Sequence, residues 1–244
     1  MAALRGRVRR EDVAGRRHRA EGILAAAGEL IERWGYAKTT IDDIARAAGV
    51  AKGTIYLHWK TREALFQTLL RREQLTLAQD FQQRIAADPE GARLGNLIKH
   101  TTLAMLQRPL LKAVVLRDAS VLGKLVEQEQ STAVFGTKLD GFHHYLAFLR
   151  ERNLVRSDLD ERTLVHILAA VTMGFFVVQP TLPAELACSD EELGERIALT
   201  VRGALEPARA ISAEELAEAS RAFLDYTSQV AAALQTQLQQ ELGA

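Results

Sequence analysis

The chain has 244 residues, of which 48% are hydrophobic and 25% are charged, and its formal net charge at pH 7 is zero. This length allows one large or two modest domains with real cores, and the composition is that of a soluble globular protein. The neutral total excludes a chain that is basic throughout and binds polyanions by charge alone.

The charge is unevenly distributed along the chain. Residues 1–60 contain 12 lysines and arginines against 7 acidic residues, a net charge of +5. The remaining 184 residues contain 19 against 24, a net charge of −5. A basic first part and an acidic remainder are typical of a DNA-binding segment joined to a separate sensing or pairing domain.

Cysteine usage and hydropathy indicate the compartment. Cys188 is the only cysteine, so an intrachain disulfide is excluded and a reducing cytoplasm is predicted. The longest apolar run, residues 168–178, is shorter than the roughly 20 residues that span a bilayer, so no membrane segment is predicted. The N-terminus has charges without an apolar run after them, which argues against a secretory signal.

The N-terminal segment is rich in arginine. Residues 1–20 contain seven arginines, and residues 1–15 are predicted to form a basic, flexible arm. Such an arm can be a solvated tail in the free protein and can also follow phosphates or enter a minor groove, since arms of this kind become ordered only on DNA. A first helix is predicted over residues 16–34 from an apolar stripe that includes Trp34, and Gly35 ends it.

Two short helices joined by a tight turn are predicted within residues 39–60. Thr40 is a suitable N-cap for the first helix, and Gly49 permits a left-handed turn after it. The spacing of Ala45, Gly49 and Ile55 lets two helices cross closely, which is the geometry of a helix-turn-helix. The outward side of the second helix carries hydrogen-bond donors and flat rings with no carboxylate, which suits DNA: Lys52, Gly53, Thr54, Tyr56 and His58.

The rest of the chain is predicted to be helical, without strand-like alternation. Thr61 caps a long helix that ends near Ala87. Further helices are predicted over residues 90–107, 110–121, 124–153, 160–179, 190–206 and 213–241. The prediction is an all-α fold of about ten helices, with a DNA-binding bundle at residues 16–60 and a larger helical domain at residues 61–244.

These residues resemble the N-terminal pattern of the TetR family of bacterial transcriptional regulators. The agreement covers about 50 of the 244 residues. It consists of Gly35, Thr39, Thr40, Ile44, Ala45, Ala48, Gly49, Val50, Gly53, Thr54, Tyr56, His58, Trp59 and Lys60. Departures are mild: Ala51 stands where a helix-capping serine is frequent, and Trp59 replaces a phenylalanine.

The resemblance implies an N-terminal three-helix bundle with a helix-turn-helix, followed by a ligand-binding and dimerisation domain. The residues it assigns to DNA are Thr39, Thr40, Lys52, Gly53, Thr54, Tyr56, His58 and Lys60. Lys52 is expected to donate to guanine in the major groove, and Thr54 to pack on a thymine methyl. Trp59 is expected to pack in the core against the first helix.

A single recognition helix gives limited specificity, so a homodimer on a palindromic double-stranded operator is expected. By the resemblance, the helices at 160–179 and 190–206 would form the dimer interface. Apolar and small residues suit it, although the sequence leaves open which face is core: Val165, Leu168, Ala169, Ala170, Thr172, Gly174, Phe176, Leu193, Gly194, Ile197, Val201, Gly203 and Leu205.

The resemblance also implies a pocket for a small, largely apolar effector among residues 61–88, 90–121 and 124–153. Candidate lining residues are His100, Met105, Arg117, Phe135, Phe142, His144, Tyr145, Phe148, His166 and Met173. Aromatic and methionine side chains at helical spacing are more often core filler, so each is a candidate only. His143 and His144 point about 100° apart on a helix, and no metal site or cofactor is predicted.

The resulting hypothesis is a sequence-specific transcriptional regulator, namely a repressor that a ligand releases from its operator. A ligand-independent or activating regulator is an alternative, and so is a nonspecific nucleoid-type DNA binder, which would have more basic charge. An enzyme with an appended helix-turn-helix is disfavoured, because the sequence contains no nucleophile elbow, phosphate loop or paired-carboxylate constellation.

Overall fold

The structure, a computed structural model, describes residues 2–108, 110–112 and 133–243, and every regular element in these ranges is helical. The helices are α1 (Ala2–Trp34), α2 (Ile41–Ala47), α3 (Lys52–His58), α4 (Arg62–Ala87), α5 (Leu94–Leu106), α6 (Ala133–Glu151), α7 (Glu161–Val178), α8 (Asp190–Leu205) and α9 (Ala213–Gly243). A 3₁₀ turn at Gln179–Thr181 follows α7. The predicted all-α fold is confirmed.

Most predicted helix bounds agree with the structure to within one turn. The predicted helix at 110–121 is seen only at residues 110–112, since residues 113–132 lie outside the described ranges. The first helix differs most: α1 begins at Ala2, not near residue 16. The basic segment is therefore helical from Ala2 onward, while its flexibility and its contact with DNA stay predictions.

The first core joins α1, α2 and α3 to the first turns of α4. Ile23, Ile44 and Ile55 are fully buried in it. The sequence predicted Trp34 as part of the apolar stripe of α1, but it lies outside this core. It is 46% exposed, because the buried face of α1 ends at Ile31. The same core takes in the start of α4 and the end of α9, through Leu65, Phe66, Leu69, Leu70, Leu238 and Leu242.

The second core lies around the crossing of α5 and α8 in the larger domain. Gly95 allows this crossing, since a Cβ there would lie 2.6 Å from the Arg202 side chain and 2.8 Å from the Ala198 carbonyl oxygen. Six residues assigned to a possible dimer interface are instead buried within the chain: Leu168, Phe176, Leu193, Ile197, Val201 and Leu205. Gly194 likewise faces Lys99 and Leu103 of α5.

Gly141 sets the distance between α6 and α9. A Cβ at this position would lie 2.3 Å from ring carbons of Tyr226, whose hydroxyl donates to the Lys138 carbonyl oxygen at 3.1 Å. We therefore expect Gly141→Ala to lower the free energy of unfolding by about 1–3 kcal/mol, because the held ring must move.

Gly136 is the matched control for this substitution, because it lies in the same helix and its Cβ would meet nothing within 4 Å. Gly136→Ala should raise stability by up to about 1 kcal/mol, the helix-propensity difference between the two residues. Urea denaturation measures both variants. Equal stabilities would contradict the close packing of Tyr226 on Gly141.

Candidate DNA-binding site

The recognition helix α3 is short and exposes most of its side chains. Ile55 anchors it in the first core with no exposed surface. Lys52 and Gly53 are exposed, as are Tyr56 at 40% and Leu57 at 69%, and the helix itself carries no carboxylate. Gly49, with φ at 67°, makes the left-handed turn that the sequence predicted before α3. A helix of this kind can enter the major groove and present donors to base edges.

The N-terminus of α2 is closed by a capping box. The Thr40 side chain accepts from the backbone N–H of Asp43 at 3.2 Å, and its hydroxyl donates to the Asp43 carboxylate at 2.6 Å. This hydrogen bond lowers the pKa of the Asp43 carboxyl. The Thr40 N–H also points to Asp43, at 3.3 Å. A DNA phosphate at Thr40 would therefore have to replace that carboxylate as the acceptor.

Thr39 was expected to contact DNA from the surface, but the structure places it in the interior. It is fully buried, and its hydroxyl donates to the Gly35 carbonyl oxygen at 2.9 Å. Arg62 donates to the Thr39 carbonyl oxygen at 3.0 Å and lies 4.0 Å from the centre of the Tyr36 ring. Thr39 and Arg62 thus brace the turn against α4, and Thr39 is left out of the DNA-binding face.

α2 brings a carboxylate to Lys52 that the sequence pattern of α3 did not reveal. Lys52 Nζ lies 2.8 Å from Asp42 Oδ2, and both side chains are at least half exposed. The hydrogen bond to Asp42 raises the pKa of Lys52. A base or phosphate that binds Lys52 must compete with Asp42, because each would accept a hydrogen bond from the same ammonium group.

α1 adds positive charge at the end of the recognition helix. Arg16 donates to the Leu57 carbonyl oxygen at 3.2 Å. Partial burial, followed by the nearby charges of Arg16 and Arg19, lowers the pKa of His58. The sequence signal for this contribution was the density of arginines before residue 20.

Trp59 fixes the end of α3 to α4. It is 4% exposed, and its indole N–H donates to the Thr68 hydroxyl at 2.9 Å, so the prediction of a core position is confirmed. Lys60 follows immediately and is exposed, just ahead of the N-terminus of α4. A phosphate can reach both the lysine and that helix end.

The predicted ligand residues do not form one site. Tyr145 is buried against Phe148 and Phe223, and burial raises the pKa of its hydroxyl. His144 and His166 are exposed, and His144 Nδ1 lies 2.8 Å from the Asp140 carbonyl oxygen. Arg117 and the side chain of Phe135 lie outside the described residues. The other candidates, His100, Met105, Phe142 and Met173, are half-buried, and none lines a described cavity.

A cavity of about 230 Å³ lies between α4, α5, α6 and α9 instead. Its lining residues are Gln74, Leu77, Ala78, Phe81, Thr101, Lys138, Tyr226, Thr227, Val230 and Leu234. None of the predicted ligand residues is among them. The sequence did not reveal this cavity because four of its wall residues belong to the C-terminal helix, which lies outside the segments where the pocket was expected, residues 61–88, 90–121 and 124–153.

An exposed, donor-rich helix-turn-helix in a helical fold is typical of DNA-binding transcriptional regulators. Residues 23–69 match the family model described as bacterial regulatory proteins, tetR family. This segment contains α2, α3 and the first turns of α4, which form the site described above. The match assigns this N-terminal segment, which carries the helix-turn-helix, to the TetR family of bacterial regulatory proteins.

Individual relatives agree with this assignment. The chain is 25% identical over 189 residues to the HTH-type transcriptional regulator AcrR of Shigella flexneri, which covers 74% of this chain and 72% of that protein. It is 32% identical over 76 residues to the A-factor receptor protein of Streptomyces griseus, or 31% of this chain and 25% of that one. A solved structure from Rhodococcus sp., described as a TetR-family transcriptional regulator, has a TM-score of 0.56 at 19% identity over 76% of this chain and 98% of that chain.

Proposed function

We propose that the chain is a cytoplasmic repressor that binds a palindromic operator as a homodimer and is released by a small, largely apolar ligand. The observation that carries this proposal is the position of α4. Its first turns pack in the core of the DNA-binding bundle through Leu65 and Leu69, and its middle turns line the cavity through Leu77 and Phe81. A ligand in the cavity therefore touches the helix that supports the helix-turn-helix.

Exposed apolar residues of α7 and α8 support the homodimer. Val177 of α7 is 60% exposed and Leu199 of α8 is 67% exposed. Small exposed residues, Ala170, Gly174 and Gly203, would let a second copy approach closely. Large exposed apolar side chains of this kind are typical of an interaction surface, and a two-fold dimer would bury them against a second copy.

α7, with the turn that follows it, is long and apolar enough to cross a membrane if only length and composition are considered. The apolar segment at Glu161–Thr181 has 21 residues and so extends beyond the run at 168–178, which the sequence indicated as too short to span a bilayer. Little of this segment is buried: 17% of its most apolar 18-residue stretch. Length and composition alone do not separate a membrane helix from an interface helix. α7 packs on α8, and α8 is amphipathic and carries acidic residues in its first turn. These features favour an interface helix over a membrane-spanning helix for α7.

The proposed DNA contacts are Thr40, Lys52, Gly53, Thr54, Tyr56, His58 and Lys60, with Arg16 of α1 added. Without ligand, the dimer would hold two α3 helices at operator spacing, and ligand binding would change that spacing. The change in operator affinity can be no larger than the ligand's preference between the two conformations. An activating or ligand-independent regulator is the alternative.

DNase I footprinting on the promoter of the chain's own gene tests this proposal. We expect a short palindromic footprint, a dimer by analytical ultracentrifugation, and lower transcription in vitro when the protein is added. Uniform protection would indicate the nucleoid-type binder, and higher transcription would indicate an activator. A monomer on the operator would contradict the proposed dimer.

A further inference from the structure

The exposed side of the recognition helix has an apolar residue near its centre. Four residues of α3 form one stripe of exposed positions, namely Lys52, Gly53, Tyr56 and Leu57. Leu57 is 69% exposed, the largest fraction among the large apolar side chains that the structure describes. Successive residues of a helix are about 100° apart, so Leu57 lies about 200° from the buried Ile55. Leu57 therefore points away from the bundle, in the direction from which DNA would approach.

The preceding turn of α3 leaves open space beside Leu57. Side chains on a helix lean toward its N-terminus, so Leu57 extends over the turn that contains Gly53, four residues earlier. A Cβ on Gly53 would meet nothing of the described chain within 4 Å. Leu57 and Gly53 thus form an apolar step that no described residue fills.

Thr54, which the sequence assigned to a thymine methyl, has a less exposed position on the same helix. It is half-buried, because it lies on the flank of α3 next to the buried Ile55. Leu57 is closer to the middle of the exposed stripe and carries a larger apolar side chain. The position of Leu57 therefore suits an apolar contact with a base better than the position of Thr54.

The surroundings of Leu57 favour DNA as the molecule that covers it. Lys52 and Lys60 are exposed on either side of it along the chain, and Arg16 donates to its carbonyl oxygen at 3.2 Å. Positive groups around an apolar side chain fit a polyanion better than the apolar surface of another protein. The C5-methyl of thymine is the apolar group that the major groove of DNA presents.

We propose that Leu57 is a specificity-determining residue that packs on the C5-methyl of a thymine in each operator half-site, beside the open space at Gly53. This inference rests on the proposed function, because it requires α3 in the major groove of an operator. It adds a residue to the DNA contacts given above and names the base that this residue reads.

Deoxyuridine, which is thymidine without the C5-methyl, tests the contact. Each symmetry-related pair of thymines in the footprinted operator is replaced in turn, and affinity is measured by fluorescence anisotropy. For one pair, wild-type protein should bind about tenfold more weakly, since one methyl contact is lost per half-site. Absence of any such pair would overturn the proposal.

A bromine in place of the methyl distinguishes an apolar contact from an effect on DNA shape. Bromine is apolar and similar in size to a methyl group, so 5-bromodeoxyuridine at the sensitive position should restore the wild-type affinity to within about twofold. This measurement needs no variant of the protein. A loss that bromine does not reverse would overturn the apolar contact.

Substitutions at Leu57 and Thr54 assign the methyl contact to one of the two residues. Leu57→Ala should bind the natural and the methyl-free operator equally, within about twofold, because its side chain is too short to reach the methyl. Thr54→Ser loses the threonine methyl, keeps the hydroxyl and should keep the roughly tenfold preference. Leu57→Val should show a smaller preference than wild type, and it decides the question if Leu57→Ala binds too weakly to measure. A full preference in either Leu57 variant, or its loss in Thr54→Ser, would overturn the proposal.

Leu186→Ala is the matched control for Leu57→Ala. Leu186 is 58% exposed and lies between α7 and α8, outside the DNA-binding bundle, so this variant should bind both operators like wild type. Because Leu57 is exposed, Leu57→Ala should also keep the wild-type thermal midpoint. The outcomes separate the two proposals. Absence of a specific footprint contradicts the proposed function itself, whereas a specific footprint in which no thymine methyl matters contradicts only the role of Leu57.

Discussion

Replacing Tyr56 or Lys60 by alanine is expected to lower operator affinity at least about 30-fold, because each substitution removes two contacts per dimer, each worth about 1–3 kcal/mol. Tyr56 is 40% exposed and Lys60 is also exposed, so little packing is lost and the thermal midpoint should hardly change. If Lys60 contacts phosphate, Lys60→Ala should also flatten the plot of log affinity against log salt by about 2 per dimer.

Fluorescence anisotropy over a range of salt concentrations measures these effects. Lys99→Ala is the charge-matched control, since Lys99 lies on α5 in the larger domain and pairs with Glu195 of α8. It should bind the operator like wild type with an unchanged salt slope. Affinities within about twofold of wild type for both Tyr56→Ala and Lys60→Ala would remove these residues from the proposed DNA-binding face.

Glu206→Ala is expected to lower the free energy of unfolding by about 3 kcal/mol, the lower end of what breaking a buried ion pair costs. The Glu206 side chain is 2% exposed and accepts from the Gly95 backbone N–H at 2.8 Å and from Arg93 at 2.8 Å and 3.1 Å. This carboxylate therefore caps the N-terminus of α5 from the end of α8. Its hydrogen bond also raises the pKa of Arg93, which keeps the guanidinium charged.

The pair formed by Lys99 and Glu195 is the control for this prediction, because it joins the same two helices at the surface. Glu195 is 55% exposed, so Glu195→Ala should cost less than about 1 kcal/mol. Glu206→Gln keeps an acceptor without the charge and should fall between the two. Urea denaturation gives all three values, and equal losses for Glu206→Ala and Glu195→Ala would contradict the capping role.

The helix-turn-helix was predictable because short-range rules decide it. A hydroxyl before Ile41, a glycine at the turn with φ at 67° and a buried Ile55 are properties of residues a few positions apart. The starts of α4, α7 and α8 follow from the N-caps Thr61, Asp160 and Ser189 for the same reason.

The surface of the site was predictable only in part. Thr39 and Thr40 are neighbours of the same type, yet one is fully buried and the other exposed. The difference depends on Arg62 and α4, which pack over the turn from 23 residues away. The sequence predicts that Lys52 lies on the outward side of α3, whereas its pairing with Asp42 depends on how α2 crosses α3.

By itself the sequence determined the all-α fold, the helix-turn-helix and the residues that α3 presents, because periodicity, caps and turn residues act within a few positions of each other. Only the tertiary structure decided where the cavity lies, which apolar residues of α7 and α8 are core, and that α9 reaches the DNA-binding bundle. These features arise where helices distant in sequence converge: Glu241 meets Thr68 across 173 residues, and no local pattern records that contact.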